Sequence, residues 1–128
     1  MKDLYEKVKA FMVAGDQPIK GFPGIPDEKT LKLGVSLIKE ELSEYIDAIS
    51  KVGKIPDKEV MVDAADAIAD LLYVVTWNSI AWGFPMDQIM EEVQRTNMAK
   101  FGPGSYKDNT GKVRKPKDWV PPNIKKFI

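Results

Sequence analysis

The sequence contains no cysteine and no histidine. Without cysteine the chain cannot form a disulfide, a thiolate nucleophile or a cysteine zinc site. Without histidine it lacks the usual general base and the commonest transition-metal ligand, which excludes a Ser-His-Asp hydrolase and a di-iron site built on Glu-x-x-His. Any metal must therefore be bound by oxygen, which points to Mg²⁺ or Mn²⁺. A general base is expected to be a carboxylate.

A long apolar run and an excess of charge are also absent. The longest apolar run, Leu71 to Val75, is far too short to span a bilayer, and the N-terminus lacks the apolar segment of a signal peptide. The 19 basic and 19 acidic residues cancel, so no global field draws the chain to nucleic acid or to a membrane. We expect a soluble cytoplasmic protein with neither of these partners.

Apolar spacing and breaker residues predict an all-α fold. The predicted helices cover residues 2–14, 30–51, 59–82 and 85–100. A length of 128 residues suits one domain, so we expect a single helical bundle with a four-helix core over about 1–101. An irregular tail rich in Pro and Gly follows over 102–128, with a short hairpin near Val113 and Trp119 as its anchor.

Charge is unevenly distributed along this neutral chain. Residues 39–70 carry four Lys against nine acids, whereas residues 107–128 carry seven Lys or Arg against two Asp. The chain therefore has an acidic middle and a basic tail.

The second predicted helix carries three acids that fit neither of its obvious faces. The predicted core stripe is Leu31, Val35, Ile38, Leu42, Tyr45 and Ile49, and Lys and Ser residues form a solvent face. Glu40, Glu41 and Glu44 lie on the remaining arc, which they share with leucines, so we expect this arc to be half-buried. The structural alternative is a solvated acidic patch of little energetic value.

The third predicted helix is apolar on most of its circumference but carries three aspartates. At about 100° per residue, Asp63, Asp66 and Asp70 fall within an arc of roughly 60°. Like charges at these spacings destabilise a helix unless a cation lies among them, and Mg²⁺ is the simplest such cation. The structural alternative is one exposed aspartate and one buried ion pair.

The two acidic stripes lie on consecutive helices joined by a short break. Such helices usually pack antiparallel, so the stripes would face each other across one groove that could bind more than one divalent ion. Asn97 and Lys100 lie at the end of the fourth helix, and Lys112 and Arg114 lie in the tail. They could bring an amide and cations to phosphate oxygens in this groove, although a helix end and a solvated loop explain each of them singly.

In this order the motifs resemble the all-α nucleoside triphosphate pyrophosphohydrolases. The matching segments are Glu40-Glu-Leu-Ser-Glu44, Asp66-Ala-Ile-Ala-Asp-Leu-Leu-Tyr-Val-Val75, Gly83, Glu92-Val-Gln-Arg-Thr-Asn-Met-Ala-Lys100 and Gly111-Lys-Val-Arg-Lys-Pro116. That superfamily includes MazG-like proteins, phosphoribosyl-ATP pyrophosphohydrolase and dimeric dUTPases, and the phosphoribosyl-ATP-pyrophosphohydrolase-like branch is the most similar. The resemblance runs from about Phe11 to Pro122.

The family pattern is Glu-x-x-Glu followed by Glu/Asp-x-x-Asp. Glu41 and Glu44 match its first half and Asp70 its final residue, whereas Ala67 stands where the other acid is expected. Asp66 lies on the same face and is taken as the substitute. A second register, using Asp63 and Asp66, stays open.

The resemblance implies cleavage of a (d)NTP to (d)NMP and pyrophosphate, with divalent metals and a homodimer or homotetramer around a four-helix core. We expect Glu41, Glu44, Asp66 and Asp70 to bind Mg²⁺ or Mn²⁺, and Glu40 or Glu41 to activate water. Phosphates would be bound by Arg95, Asn97, Lys100, Lys112 and Arg114. The alternatives are a non-catalytic oligomerisation or nucleotide-binding module that retains the fold, in which Asp66 and Asp70 pair with Lys or Arg, and a hydrolase of other phosphate esters.

Overall fold

The computed structural model describes residues 2–128 and confirms the all-α fold. Its helices are α1 (Lys2–Ala14), α2 (Glu28–Ser50), α3 (Asp57–Trp82) and α4 (Met86–Met98), and two short 3-10 helices cover Ala99–Phe101 and Ile124–Phe127. Two short strands, β1 (Tyr106–Lys107) and β2 (Val113–Arg114), pair antiparallel. The chain forms two compact units, Met1–Phe84 and Pro85–Ile128. A single domain over 1–128 stays a prediction.

The core of the first unit lies between α1 and α3. Val8 and Met12 of α1 pack with Trp77, Ile80 and Ala81 of α3, and all five are at most 2% exposed. The segment between α1 and α2 continues this packing, because the indole N–H of Trp77 donates to the Gln17 side chain at 2.9 Å. This core holds α3 in place at its C-terminal end.

Helices α2 and α3 run antiparallel, as two contacts show. Near the start of α2, Asn78 Nδ2 donates to the Gly34 carbonyl oxygen at 3.2 Å. Just beyond the end of α2, the Lys51 ammonium lies 3.6 Å from Asp63 near the start of α3. The acidic residues of both helices lie between these two contacts, so the groove predicted from the sequence is formed.

The predicted core stripe of α2 is wrong for half of its members. Val35, Leu42 and Ile49 are exposed, whereas the buried residues of the helix are Thr30, Gly34 and Ala48. The apolar pattern correctly groups these residues on one face, but α2 packs on α3 with a different set of residues buried. The apolar arc therefore faces outward in the single chain.

The ends of the long helices follow local capping chemistry. The Asp27 carboxylate accepts the Thr30 N–H at 2.8 Å, so α2 begins at Glu28, two residues earlier than the apolar pattern indicated. The hydrogen bond from Thr30 also lowers the pKa of Asp27. Helix α3 ends at Trp82, as predicted, and Gly83 follows in the left-handed conformation with φ of 72°.

In the second unit, the tail is fastened along α4. The Trp119 indole N–H donates to the Thr96 carbonyl oxygen at 2.6 Å, and the Asn123 N–H donates to Glu92 Oε2 at 2.7 Å. These bonds confirm Trp119 as an anchor, and the predicted hairpin near Val113 is also present. Among residues 2–128, no helix has both the length and the apolar character needed to cross a membrane.

Replacing Gly83 with alanine should destabilise the protein by about 2 kcal/mol or more. A Cβ at this position would lie 2.2 Å from the Phe22 carbonyl oxygen, and the positive φ adds strain. Gly53→Ala is the matched control, because Gly53 has a φ of 80° but no atom of residues 2–128 lies within 4 Å of the added carbon. It should cost about 1 kcal/mol, the conformational part alone. The free energy of unfolding is measured in urea. Equal losses in Gly83→Ala and Gly53→Ala would show that the segment around Phe22 does not pack against Gly83.

Candidate metal centre

Three carboxylates from two helices converge in the groove between α2 and α3. Glu41 and Glu44 are one turn apart on α2, and Asp70 extends from α3. One oxygen from each lies within 4.8 Å of the others. Because α2 and α3 run antiparallel, these three residues meet although up to 29 positions separate them along the chain.

Glu41 is the most constrained member of this cluster. Its Oε2 atom is shielded from solvent and has no hydrogen-bond partner among the described residues. Burial, followed by repulsion from Glu44 and then from Asp70, raises the pKa of Glu41 to about 7. An unsatisfied buried oxygen next to two further carboxylates is costly unless a proton or a cation joins them.

The cluster fits a hard divalent cation. Three carboxylate oxygens from separate residues at these distances suit the oxygen coordination of Mg²⁺ or Mn²⁺, and the unpaired Glu41 Oε2 would gain a partner. Within the described part of the first unit, no Lys or Arg nitrogen lies within 4.0 Å of Asp66 or Asp70. The non-catalytic alternative expected Asp66 and Asp70 to pair with Lys or Arg, and the described residues of the first unit show no such pair.

Asp66 lies beside the cluster rather than in it. With Glu44, Asp47 and Asp63 it lines an adjoining pocket of about 380 Å³. Lys51 also lines this pocket and pairs with Asp47 at 3.3 Å and Asp63 at 3.6 Å. Asp63 thus has a cationic partner in a partly exposed ion pair, whereas Asp66 lines the same pocket as Glu44.

Glu40 is exposed and lies at the edge of the cluster. Its charge is close enough to contribute to the raised pKa of Glu41, although burial, Glu44 and Asp70 contribute more. Its role as a general base stays a prediction.

The five residues predicted to bind phosphate all belong to the second unit, where two of them have acidic partners. Arg95 Nε donates to Glu92 at 2.7 Å, and Arg114 Nε donates to Asp108 at 2.8 Å. Asn97 and Lys112 are exposed. Their approach to the carboxylate cluster stays a prediction.

The Lys100 side chain lies over the aromatic ring of Trp119. Its ammonium lies 5.3 Å from the centre of the Trp119 ring, and the ammonium of Lys115 lies 4.6 Å from the same centre. Both distances are typical of cation–π contacts. Trp119 therefore contacts two lysine side chains near the end of α4.

The sequence patterns did not single out Glu92, which is the buried acid of the second unit. It is 6% exposed, accepts the Arg95 and Asn123 bonds, and lies 4.0 Å from the Lys126 ammonium. The hydrogen bond from Arg95, followed by that from Asn123, lowers the pKa of Glu92 to about 2. The available signal was its spacing from Ile89 and Thr96, which places it on the buried side of α4.

Comparison with known proteins identifies one family. A model described as phosphoribosyl-ATP pyrophosphohydrolase matches residues 8–97, a stretch that includes Glu41, Glu44 and Asp70. The family belongs to the MazG-like all-α NTP pyrophosphohydrolase superfamily, and its members are metal-dependent hydrolases of phosphoric anhydrides. A comparison with curated proteins gives no match.

The Glu92 contacts predict a pH dependence. Since the pKa of Glu92 is about 2 in the folded chain and about 4.5 ordinarily, its stabilisation is present above about 4.5 and is lost as the pH falls towards about 2. Glu92→Gln should therefore melt below the wild type at pH 7, and the difference should shrink as the pH falls to about 2.5. Glu91→Gln is the control, because Glu91 is exposed. A constant difference between wild type and Glu92→Gln in melts followed by circular dichroism would contradict this account.

Proposed function

Since the chain belongs to the phosphoribosyl-ATP pyrophosphohydrolase family, whose members hydrolyse phosphoric anhydrides, we propose that it cleaves nucleoside triphosphates with Mg²⁺. The products are the (d)NMP and pyrophosphate, and the role is the removal of unwanted nucleotides from the cellular pool. The observation that carries this proposal is the meeting of Glu41, Glu44 and Asp70 within 4.8 Å inside the segment that matches the family.

We assign the roles by position and chemistry. Glu41, Glu44 and Asp70 would hold the metal, and Asp66 would assist from the adjoining pocket. When bound, Mg²⁺ neutralises phosphate charge and stabilises the charge that develops on the phosphoryl oxygens. Mn²⁺ suits the same oxygen ligands.

The reaction requires a base and a set of phosphate ligands. Glu40 or Glu41 accepts the proton of the water that attacks the α-phosphorus, and the bond from this phosphorus to the bridging oxygen breaks. The released electron pair leaves with pyrophosphate. The phosphate ligands are the cations and the amide of the second unit: Arg95, Asn97, Lys100, Lys112 and Arg114.

The name of the matched family supplies a second candidate substrate, phosphoribosyl-ATP. It carries the same triphosphate, so the carboxylates and metal would act on the same type of bond. The two candidates differ only in what surrounds the triphosphate, and they can be compared in one assay.

Glu41→Gln should abolish most of the pyrophosphate release, with a fall of at least about 100-fold in kcat. The substitution keeps the size of the side chain but removes a ligand charge. The assay follows pyrophosphate from each (d)NTP and from phosphoribosyl-ATP with Mg²⁺ or Mn²⁺. Glu28→Gln is the matched control, because Glu28 lies in the first turn of α2, away from the cluster, and forms an exposed ion pair with Lys32. Full activity of Glu41→Gln, or no turnover of any nucleotide by the wild type, would refute the mechanism.

We further propose that the chain is a homodimer or homotetramer that assembles through exposed apolar residues. On α2, Val35, Leu42 and Ile49 repeat every seven residues and are exposed by 54%, 43% and 48%. On α3, Ile68, Leu72 and Val75 form a second exposed stripe. Stripes of this spacing on helices are typical of helix–helix interfaces.

Leu42→Glu should convert the assembly to a monomer, because it places a charge in the centre of the α2 stripe that the proposed interface would bury. Light scattering during size exclusion measures the mass, which for the wild type should be two or four times that of the chain. Ser36→Glu adds the same charge on the solvent face of α2 and should leave the mass unchanged. A monomeric wild type, or an unchanged mass for Leu42→Glu, would contradict the proposed interface.

A further inference from the structure

One contact between α2 and α3 joins two residues that neither helix favours. Gly34 lies inside α2, where glycine weakens a helix, and Asn78 lies inside the largely apolar α3. Asn78 Nδ2 donates to the carbonyl oxygen of Gly34 at 3.2 Å and to that of Val74 at 2.8 Å. Each unfavourable residue is therefore explained by the other.

The contact leaves no room for a side chain on α2. A Cβ at position 34 would lie 2.2 Å from Asn78 Oδ1 and 3.4 Å from Trp77 Cζ3. The Asn78 amide cannot rotate away freely, because its Nδ2 atom is held by two carbonyl oxygens. A methyl group at Gly34 must therefore separate the helices or break these hydrogen bonds.

The contact lies on the same helix faces as the carboxylate cluster. Glu41 follows Gly34 by seven residues, which is about two turns and nearly the same direction around α2. On α3, Asp70 precedes Val74 by four residues and Asn78 by eight, so the three form one row along the helix. The contact and the cluster are thus separated by about 10–12 Å of regular helix.

We propose that the contact between Gly34 and Asn78 sets the separation of α2 and α3 at the cluster. Both are then positioning residues for Glu41 and Asp70, which stand on opposite helices. Metal–ligand distances tolerate changes of only about 0.2 Å, and close-packed helices transmit a displacement along their length. The inference rests on the proposed metal site and specifies what keeps its two halves in register.

The test measures the Mn²⁺ dissociation constant by the electron paramagnetic resonance of free Mn²⁺, together with the melting temperature without metal. Gly34→Ala should raise the dissociation constant by at least about tenfold, as loss of a positioning contact does at other metal sites. Asn78→Gln, which lengthens the side chain into the same contact, should act alike and serves if Gly34→Ala fails to fold. The double variant Gly34→Ala with Asn78→Ala should return to within about threefold of the wild type, because the clash is gone.

Ile80→Val is the control for stability alone, since Ile80 is fully buried in the core between α1 and α3. It should lower the melting temperature and leave the dissociation constant unchanged. Three results would overturn the inference: a Gly34→Ala protein that melts lower but binds Mn²⁺ like the wild type, a double variant without recovery, or an equal loss of affinity in Ile80→Val. A wild type that binds no Mn²⁺ would instead refute the proposed metal site itself and the inference with it.

Discussion

The repulsion between three carboxylates in one groove is the constraint on which the first unit depends. Glu41, Glu44 and Asp70 are held within 4.8 Å although their charges oppose this arrangement, and burial of Glu41 adds a desolvation cost. The opposing free energy comes from elsewhere in the unit. The core of α1 and α3 fixes one end of α3, and contacts on both sides of the cluster fix α2 against it. The packing thus maintains a charge arrangement that a bound cation would stabilise.

The two units place shielded carboxylate oxygens in opposite surroundings. Glu92 is buried, yet its oxygens accept hydrogen bonds from Arg95 and from the Asn123 backbone N–H, which lower its pKa. Among residues 2–128, Glu41 Oε2 has no hydrogen-bond partner, and burial followed by repulsion from Glu44 raises the pKa of Glu41. The Glu92 carboxylate fastens the tail to α4, whereas Glu41 belongs to the cluster with Glu44 and Asp70 that could hold a metal ion. This difference separates a structural acid from a candidate ligand on physical grounds.

Much of the fold and part of the site could be predicted from the sequence. The helices and the end of α3 before Gly83 follow from periodicity and local capping chemistry, which depend on neighbours along the chain. Trp119 was also correctly predicted as the anchor of the tail. The absence of histidine and cysteine limited a metal to oxygen ligands, and the spacing of the acids placed Glu41 and Asp70 in one groove. Asp66 and Asp63 could not be separated in this way, because only the position of Lys51 distinguishes them.

The outward face of α2 shows why the remainder escaped prediction. Periodicity reports that Val35, Leu42 and Ile49 share a face, but it does not report which surface covers that face. The close approach at Gly34 was also hidden, because a glycine within a helix has no pattern that names its partner on another helix. Both features depend on residues distant in the chain, or on a second copy of it.

The most direct test of the central claim is a crystal structure of the protein with Mn²⁺, using the anomalous scattering of the metal to locate it. The account predicts an anomalous peak on the order of 2 Å from oxygens of Glu41, Glu44 and Asp70. A fully occupied Mn²⁺ elsewhere, with Glu41 and Glu44 sharing a proton in the groove, would contradict it.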